Sequence, residues 1–193
     1  MTDRNCIIES DFKNKLGFIL FFVLGTNVIV HAQNWQLIQP AYTTTDAFVA
    51  GYSLKDFGAT GDGMTDVTTI FQQRIDALGL LGGGTLFIPE GKYVFKGNLI
   101  LRKGVVLRGE WKKPIKGQSI TGTTLMPYSG RGNESAASFI TMEPSSAVQD
   151  LVVWYPEQQP DNVTEYPPTI LIGEENYFGN DFCNAKNITL ENS

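Results

Sequence analysis

Apolar positions in this chain fall into three kinds of pattern. Val67, Ile70, Phe71, Ile75 and Leu78 recur at the spacing of one helical face. That spacing predicts an amphipathic helix over about 66–78, with Asp66 as a carboxylate cap for its first turn. Gly79, or the run Gly82–Gly84, is expected to end it. The sequence after this helix breaks into short apolar runs separated by Gly, Pro and Asn: "TLFIP", "KYVF", "NLILR", "GVVLRG", "TTLMP", "SFITM", "VQDLVVW", "PTILIG" and "AKNITLEN". Several are continuous rather than alternating, as expected of strands covered on both faces or stacked in coils. Leu151, Ile170 and Ile188 occupy equivalent points in three of them, which suggests a strand–turn–strand repeat near 20 residues. A parallel β-helix fits this pattern best. A sandwich or jelly roll is the alternative.

The third pattern lies upstream. Leu16–Val30 is uncharged, follows Lys13 and Lys15, and leads into Val30-His31-Ala32. Fifteen helical residues rise only about 22 Å, short of a ~30 Å hydrocarbon core. The segment therefore reads as a signal peptide over 1–32, cleaved between Ala32 and Gln33. A polar leader over 33–54 and a β-helix over 55–193 would follow. The product would be secreted or periplasmic, with no membrane contact in its mature form.

Between leader and helix stands "DFGATGDGMTD", Asp56–Asp66. Gly58, Gly61 and Gly63 are spaced wrongly for a dinucleotide loop. "GK" at Gly91-Lys92 lacks the glycine and hydroxyl of a phosphate loop, and Met64 interrupts a calcium loop of EF-hand type. Turn chemistry remains: Gly58, Gly61, Asp62 and Gly63 reverse the chain, and Asp66 caps the helix.

The run "DFGATGDGMTD…FQQRID…GGGTLFIPEGKY" resembles the N-terminal signature of the pectate lyase-like superfamily. The resemblance spans Asp56 to Tyr93, with Val67 where an aspartate is common. It implies an all-β, right-handed, single-stranded parallel β-helix whose helix covers the open N-terminal end of the stack. It also implies an exported polysaccharide-degrading enzyme, of which this chain is the N-terminal portion, incomplete at its C-terminus. A glycoside hydrolase is expected first. A polysaccharide lyase is the second enzymatic option, and a non-catalytic adhesin or tailspike-like module is the rival from another class.

The residues that would carry catalysis are not evident. The N-T-D, D-D and G-H-G motifs of the polygalacturonase-like hydrolases do not occur, so catalytic and ligand-binding residues are unassigned. The local acids are Glu157, Asp161, Asp181 and the Glu174-Glu175 pair. Trp154, Tyr155, Tyr166, Tyr177 and Phe178 could form a sugar-stacking platform or pack as core. Asn133, Asn162 and Asn187 begin glycosylation sequons. No metal and no cofactor is expected, and the lone His31 falls within the signal.

Charge changes the picture in one respect. Residues 33–131 carry eleven Lys/Arg against seven Asp/Glu, net +4, and residues 132–193 carry one Lys against ten acids, net −9. The basic run Lys92, Lys96, Arg102, Lys103, Arg108, Lys112, Lys113, Lys116 is either an anion-binding face or a set of solvated positions. The expected partner is a polysaccharide rather than nucleic acid. Of the two cysteines only Cys183 would remain after processing, so no internal disulfide is available to the mature chain.

Overall fold

The computed structural model describes residues 36–38, 48–159, 161–173 and 182–192. The segment expected to be a signal, with Ala32 and Gln33, the Glu174-Glu175 pair, Tyr177, Phe178 and Asp181 lie outside the described residues.

Thirteen strands and one α-helix follow in chain order among the described residues: β1 (Gln36–Ile38), β2 (Phe48–Ala50), β3 (Tyr52–Ser53), a 3-10 turn (Leu54–Phe57), β4 (Asp62–Asp66), α1 (Thr68–Leu80), β5 (Gly84–Ile88), β6 (Gly91–Phe95), β7 (Leu99–Leu101), β8 (Val105–Gly109), β9 (Thr123–Pro127), β10 (Ile140–Met142), β11 (Ala147–Trp154), β12 (Ile170–Ile172) and β13 (Asn184–Glu191). Among the described strands only β1 and β2 pair antiparallel. All other pairs are parallel and wind around three faces. Sheet I stacks β3, β5, β8 and the first halves of β11 and β13. Sheet II stacks β4, β6, β9 and the second halves of β11 and β13. Sheet III stacks β7, β10 and β12. This is a parallel β-helix.

The coil period differs from the sequence expectation. Gly84 registers with Val105, Val106 with Ala147, and Ala147 with Asn184. Leu151 does register with Ile188, but Ile170 pairs with Ile140 on another sheet. Equivalent positions of sheet I are thus 21 residues apart at the first step (84 to 105) but 41 (106 to 147) and 37 (147 to 184) at the next two, and the Leu151–Ile170 spacing separates two strands of one coil. The three coils from β5 to β12 each hold three strand segments, and the loops between them vary in length.

Alternation sorts side chains inward and outward. Leu86, Leu107 and Val148 of sheet I, Tyr93, Leu125 and Val153 of sheet II, and Leu99, Leu101, Ile140 and Met142 of sheet III form one interior cluster. The first coil would expose this interior and a strand edge, and α1 covers both. Phe71, Ile75 and Leu78 are fully buried, each contributing about 1.5–3 kcal/mol of burial. Phe71 seats edge-on against Tyr93 at 5.6 Å and Phe95 at 4.7 Å, and Phe95 meets Phe139 at 5.1 Å. Ile70, expected on the same face, is only partly buried.

The helix begins two residues later than expected. Asp66 ends β4, and Val67 occupies the N-cap position. Asp66 still serves the helix start, because its carboxylate accepts from the Thr68 N–H at 3.0 Å and the Thr68 hydroxyl at 2.6 Å. Gly79 does not end the helix. It lies within α1, where a Cβ would stand 2.7 Å from the Arg102 side chain. Its absent side chain lets the helix approach the first coil.

Candidate functional site

The three-residue strands of sheet III present one outward residue each. Ile100, Thr141 and Leu171 are register partners, and they point away from the core between inward neighbours. Ile100 and Leu171 are 43% and 40% exposed. Ile100 and Thr141 line an open cleft of about 830 Å3. Gln72 of α1 and Asn98 lie along it, and Arg102, Lys103, Glu143 and Pro144 form the wall at the turn into sheet I. A second cleft of about 720 Å3 adjoins the loops that lead into β10 and β12, and includes Glu134, Gln158, Thr164 and Tyr166. The first of these clefts, along sheet III, is the groove.

The groove wall is organised by ions. Arg102 Nε donates to Asp76 Oδ1 at 2.7 Å, and its Nη1 donates to Glu143 Oε1 at 2.8 Å. The other Glu143 oxygen accepts from the Lys103 N–H at 3.0 Å. The two carboxylates, Asp76 first, hold the guanidinium above its ordinary value. Both acids are therefore committed to positioning the wall. The Lys103 side chain is exposed and makes no ion pair among the described residues. In the second cleft Tyr155 and Tyr166 pack at 4.6 Å. Burial pushes both phenols up, and the Tyr155 hydroxyl shares a hydrogen bond with Thr169 Oγ1 at 2.9 Å.

The sequence candidates scatter around this groove. Trp154 ends β11 and is only half-buried, whereas the next residue, Tyr155, is buried in the interior cluster, so they form no common platform. Tyr155 is 1% exposed and, with Tyr166, lines the second cleft. Glu157 lies 3.8 Å from Arg131. Asp161 is exposed, as are Asn133 and Asn162. Asn187 donates its amide to Asp150 at 3.0 Å. Lys186 stands on sheet I in the row Arg108, Gln149, Lys186, away from the groove. The basic run does not make one face, because the chain carries it through all three sheets within little more than one coil.

The glycine loop is a turn with its carboxylates occupied. Asp62 accepts from the Met64 and Thr65 N–H groups at 2.8 Å each and from the Thr65 hydroxyl at 2.7 Å. These bonds, the Thr65 N–H foremost, hold its carboxyl far below the usual range. For Asp66, partial burial pushes upward but is outweighed by bonds from Thr68 and the Lys96 N–H. Gly58 closes the 3-10 turn in the left-handed region, and Gly61 and Gly63 share that backbone region. Among the described residues no three His, Cys, Asp or Glu side chains cluster as metal ligands would.

Sequence reasoning missed Gln72, Asp76, Arg102, Lys103, Thr141 and Glu143 as groove residues. Arg102 meets partners 26 and 41 positions away, and no local pattern records such pairing. The alternation in "NLILR" marks Ile100 as outward and is the one available signal.

A helix-capped parallel β-helix with an open groove on its shortest sheet defines the class of this protein. Residues 52–153 match the family model described as rhamnogalacturonase A/epimerase, pectate lyase-like, and the chain belongs to that family. It is 34% identical to the mannuronan C5-epimerase AlgE6 of Azotobacter vinelandii over 110 residues, half of this chain and 13% of that protein. It is 43% identical to alginate lyase 7 of the same organism over 65 residues, 30% of this chain and 8% of that one. The solved A-module of AlgE6 aligns with 53% of this chain and 28% of its own, at 30% identity and a TM-score of 0.42. The chain thus spans about a tenth of the length of the curated relatives.

Proposed function

We propose that this chain belongs to an exported enzyme that modifies an acidic polysaccharide, with the groove on sheet III as part of the substrate path. The observation that carries this reading is the family match over residues 52–153. The names of the similar proteins, C5-epimerases and an alginate lyase, point to uronate chemistry. Epimerisation and elimination both begin by removing a proton from a sugar carbon, whereas hydrolysis requires two available carboxylates several ångströms apart. Asp76 and Glu143, the acids at the groove wall, are both engaged with Arg102. On the names of these similar proteins, proton abstraction is preferred to the glycoside hydrolysis expected from sequence.

The test is incubation of the full chain with polymannuronate, polygalacturonate and a neutral β-glucan. Inverted C5 centres by proton NMR, or unsaturated chain ends by ultraviolet absorbance, are the expected products. Release of saturated reducing ends alone would restore the hydrolase reading.

A non-catalytic binding module is the second reading. It is favoured by 45% identity over 51 residues to plasmin and fibronectin-binding protein A of Streptococcus pneumoniae, which covers 26% of this chain and 7% of that protein. Retention on a polysaccharide without turnover of any would support it. Export rests on the uncharged run Leu16–Val30 followed by Val30-His31-Ala32. The expected intact mass of the mature protein begins at Gln33.

A further inference from the structure

From β5 onward, the corner between sheets I and II is tight in three of the four coils; ahead of them, between β3 and β4, it runs through the 3-10 turn and the glycine loop. Pro89 and Glu90 make it in the first, Asp150 in the third and Asn187 in the fourth, the last two with positive φ. In the second coil it expands to Glu110–Gly122, between β8 and β9. This insertion is built rather than loose. Trp111 and Gly122 form an antiparallel bridge, and the Thr123 N–H donates to Glu110 O at 2.8 Å. Glu90 clamps its base, accepting from Lys112 Nζ at 2.6 Å and from the Gly122 N–H at 3.2 Å. The Glu110 carboxylate in turn accepts from the Glu90 N–H at 2.7 Å.

From this strap the Trp111 indole N–H reaches Thr189 Oγ1 of β13 at 3.0 Å. Thr189 registers with Val152 on the outer side of sheet II. Trp154 projects from the same side, and the Lys92 ammonium lies 5.3 Å from its ring centroid. Beneath these groups the outward Thr124 and Val152 are fully buried. The tip of the strap carries Lys113 and Lys116, both exposed and without an ion pair among the described residues, on either side of Ile115 at 58% exposure. The acids of the strap's base are consumed internally, and Asp62, opposite Lys92, is engaged by its own turn. The outward charge of this flank is therefore dominated by Lys92, Lys113 and Lys116, with Glu191 at its far end.

We infer that the strap and the outer side of sheet II form a second polysaccharide-docking surface, separate from the sheet III groove and specific for an acidic chain. Indole faces suit the C–H side of a sugar ring, and an ammonium beside an indole suits a ring that also bears a carboxylate. The surface borrows its ligand class from the reading above but performs no chemistry. It holds polymer while the groove works, or in the absence of any turnover.

The experiment measures retention of the full chain in gels containing polygalacturonate, polymannuronate or neutral dextran. The variants are Lys113→Ser/Lys116→Ser, Trp154→Ala, Trp154→Phe and, in the groove, Lys103→Ser. Retention on the two polyuronates and not on dextran is expected. The double lysine variant, altered only at an exposed tip, should lose roughly tenfold in affinity at low salt, and the gap should close as salt rises because exposed charges are screened within about 10 Å. Trp154→Phe should retain what Trp154→Ala loses. The proposal is overturned if the double variant binds as the wild type does, or if only Lys103→Ser weakens retention. Equal retention on dextran, or binding to anionic phospholipid vesicles without polyuronate retention, would overturn it too. Retention is read without turnover, so this surface and the proposed reaction can fail independently.

Discussion

Gln72 of α1 pairs with Ile100 of β7 as a neighbouring strand would: its Nε2 donates to Ile100 O at 3.1 Å, and the Ile100 N–H donates to its Oε1 at 2.9 Å. Sheet III begins at β7, so without this side chain a backbone donor and acceptor of the first coil would face outward unpaired. A helix supplies no strand edge, and one carboxamide substitutes for it. Gln72→Ala should cost about 0.5–1.5 kcal/mol, the net range for a hydrogen bond whose groups water can reach. Gln72→Glu keeps the acceptor and loses the donor, and should fall between. Urea denaturation of the three proteins orders them.

The corner between sheets I and II rests on a buried ion. Asp150 is 2% exposed, accepts from Arg108 Nε at 2.8 Å and from Asn187 Nδ2 at 3.0 Å, and holds φ at 58°. Removing it leaves Arg108 without that carboxylate, so Asp150→Ala should destabilise by about 3–5 kcal/mol. Asp150→Asn keeps the left-handed backbone preference and one acceptor, and should cost less. Thermal melts distinguish the two.

Two glycines of the opening loop should respond differently to alanine. At Gly61, φ is +62° and a Cβ would stand 3.0 Å from Tyr93 Cζ and 3.2 Å from Gly91 Cα. At Gly58, φ is +84° but the space is open. Gly58→Ala should cost only the backbone term, about 1–2 kcal/mol, and Gly61→Ala distinctly more. Equal losses in denaturant midpoint would refute the steric argument.

Acid should loosen the loop ahead of the helix. Asp62, Asp66 and Glu90 all have folded pKa values below their unfolded ones, so their stabilisation is present above the unfolded value, ~4, and is lost as pH falls through the folded values. Asp66→Asn should flatten the decline in stability as pH falls below about 4, measured by urea midpoints.

Alkali should act on the core instead. Burial pushes the Tyr93 phenol up to about 12, and its hydroxyl donates to Pro89 O at 2.9 Å. A raised value means stabilisation that is complete below the unfolded pKa, ~10, and lost as pH rises through the folded one. Tyr93→Phe should remove this alkaline component and cost about 1 kcal/mol at neutral pH for the lost hydrogen bond. Phenolate absorbance during an alkaline titration follows it directly.

Much of the architecture is local and therefore legible in the residues themselves. The face Val67, Phe71, Ile75, Leu78 required a helix with one buried side, and Gly58, Gly61 and Asp62 required a turn, because backbone preference and apolar periodicity act within a few positions. Continuous runs such as "TLFIP" and "TTLMP" required strands covered on both sides. What only the tertiary structure decided is how far apart equal positions of successive coils lie in sequence. That spacing depends on loops of unequal length, which no periodicity records, so Ile170 went to sheet III while Leu151 and Ile188 became neighbours. The same winding dispersed the basic run and separated Trp154 from Tyr155. It brought Asp76, Arg102 and Glu143 together from three distant segments, and it carried Trp111 across to Thr189. Winding around three faces places residues one coil apart side by side and adjacent residues on opposite sides, so the groove and the strap exist only once the coil has closed.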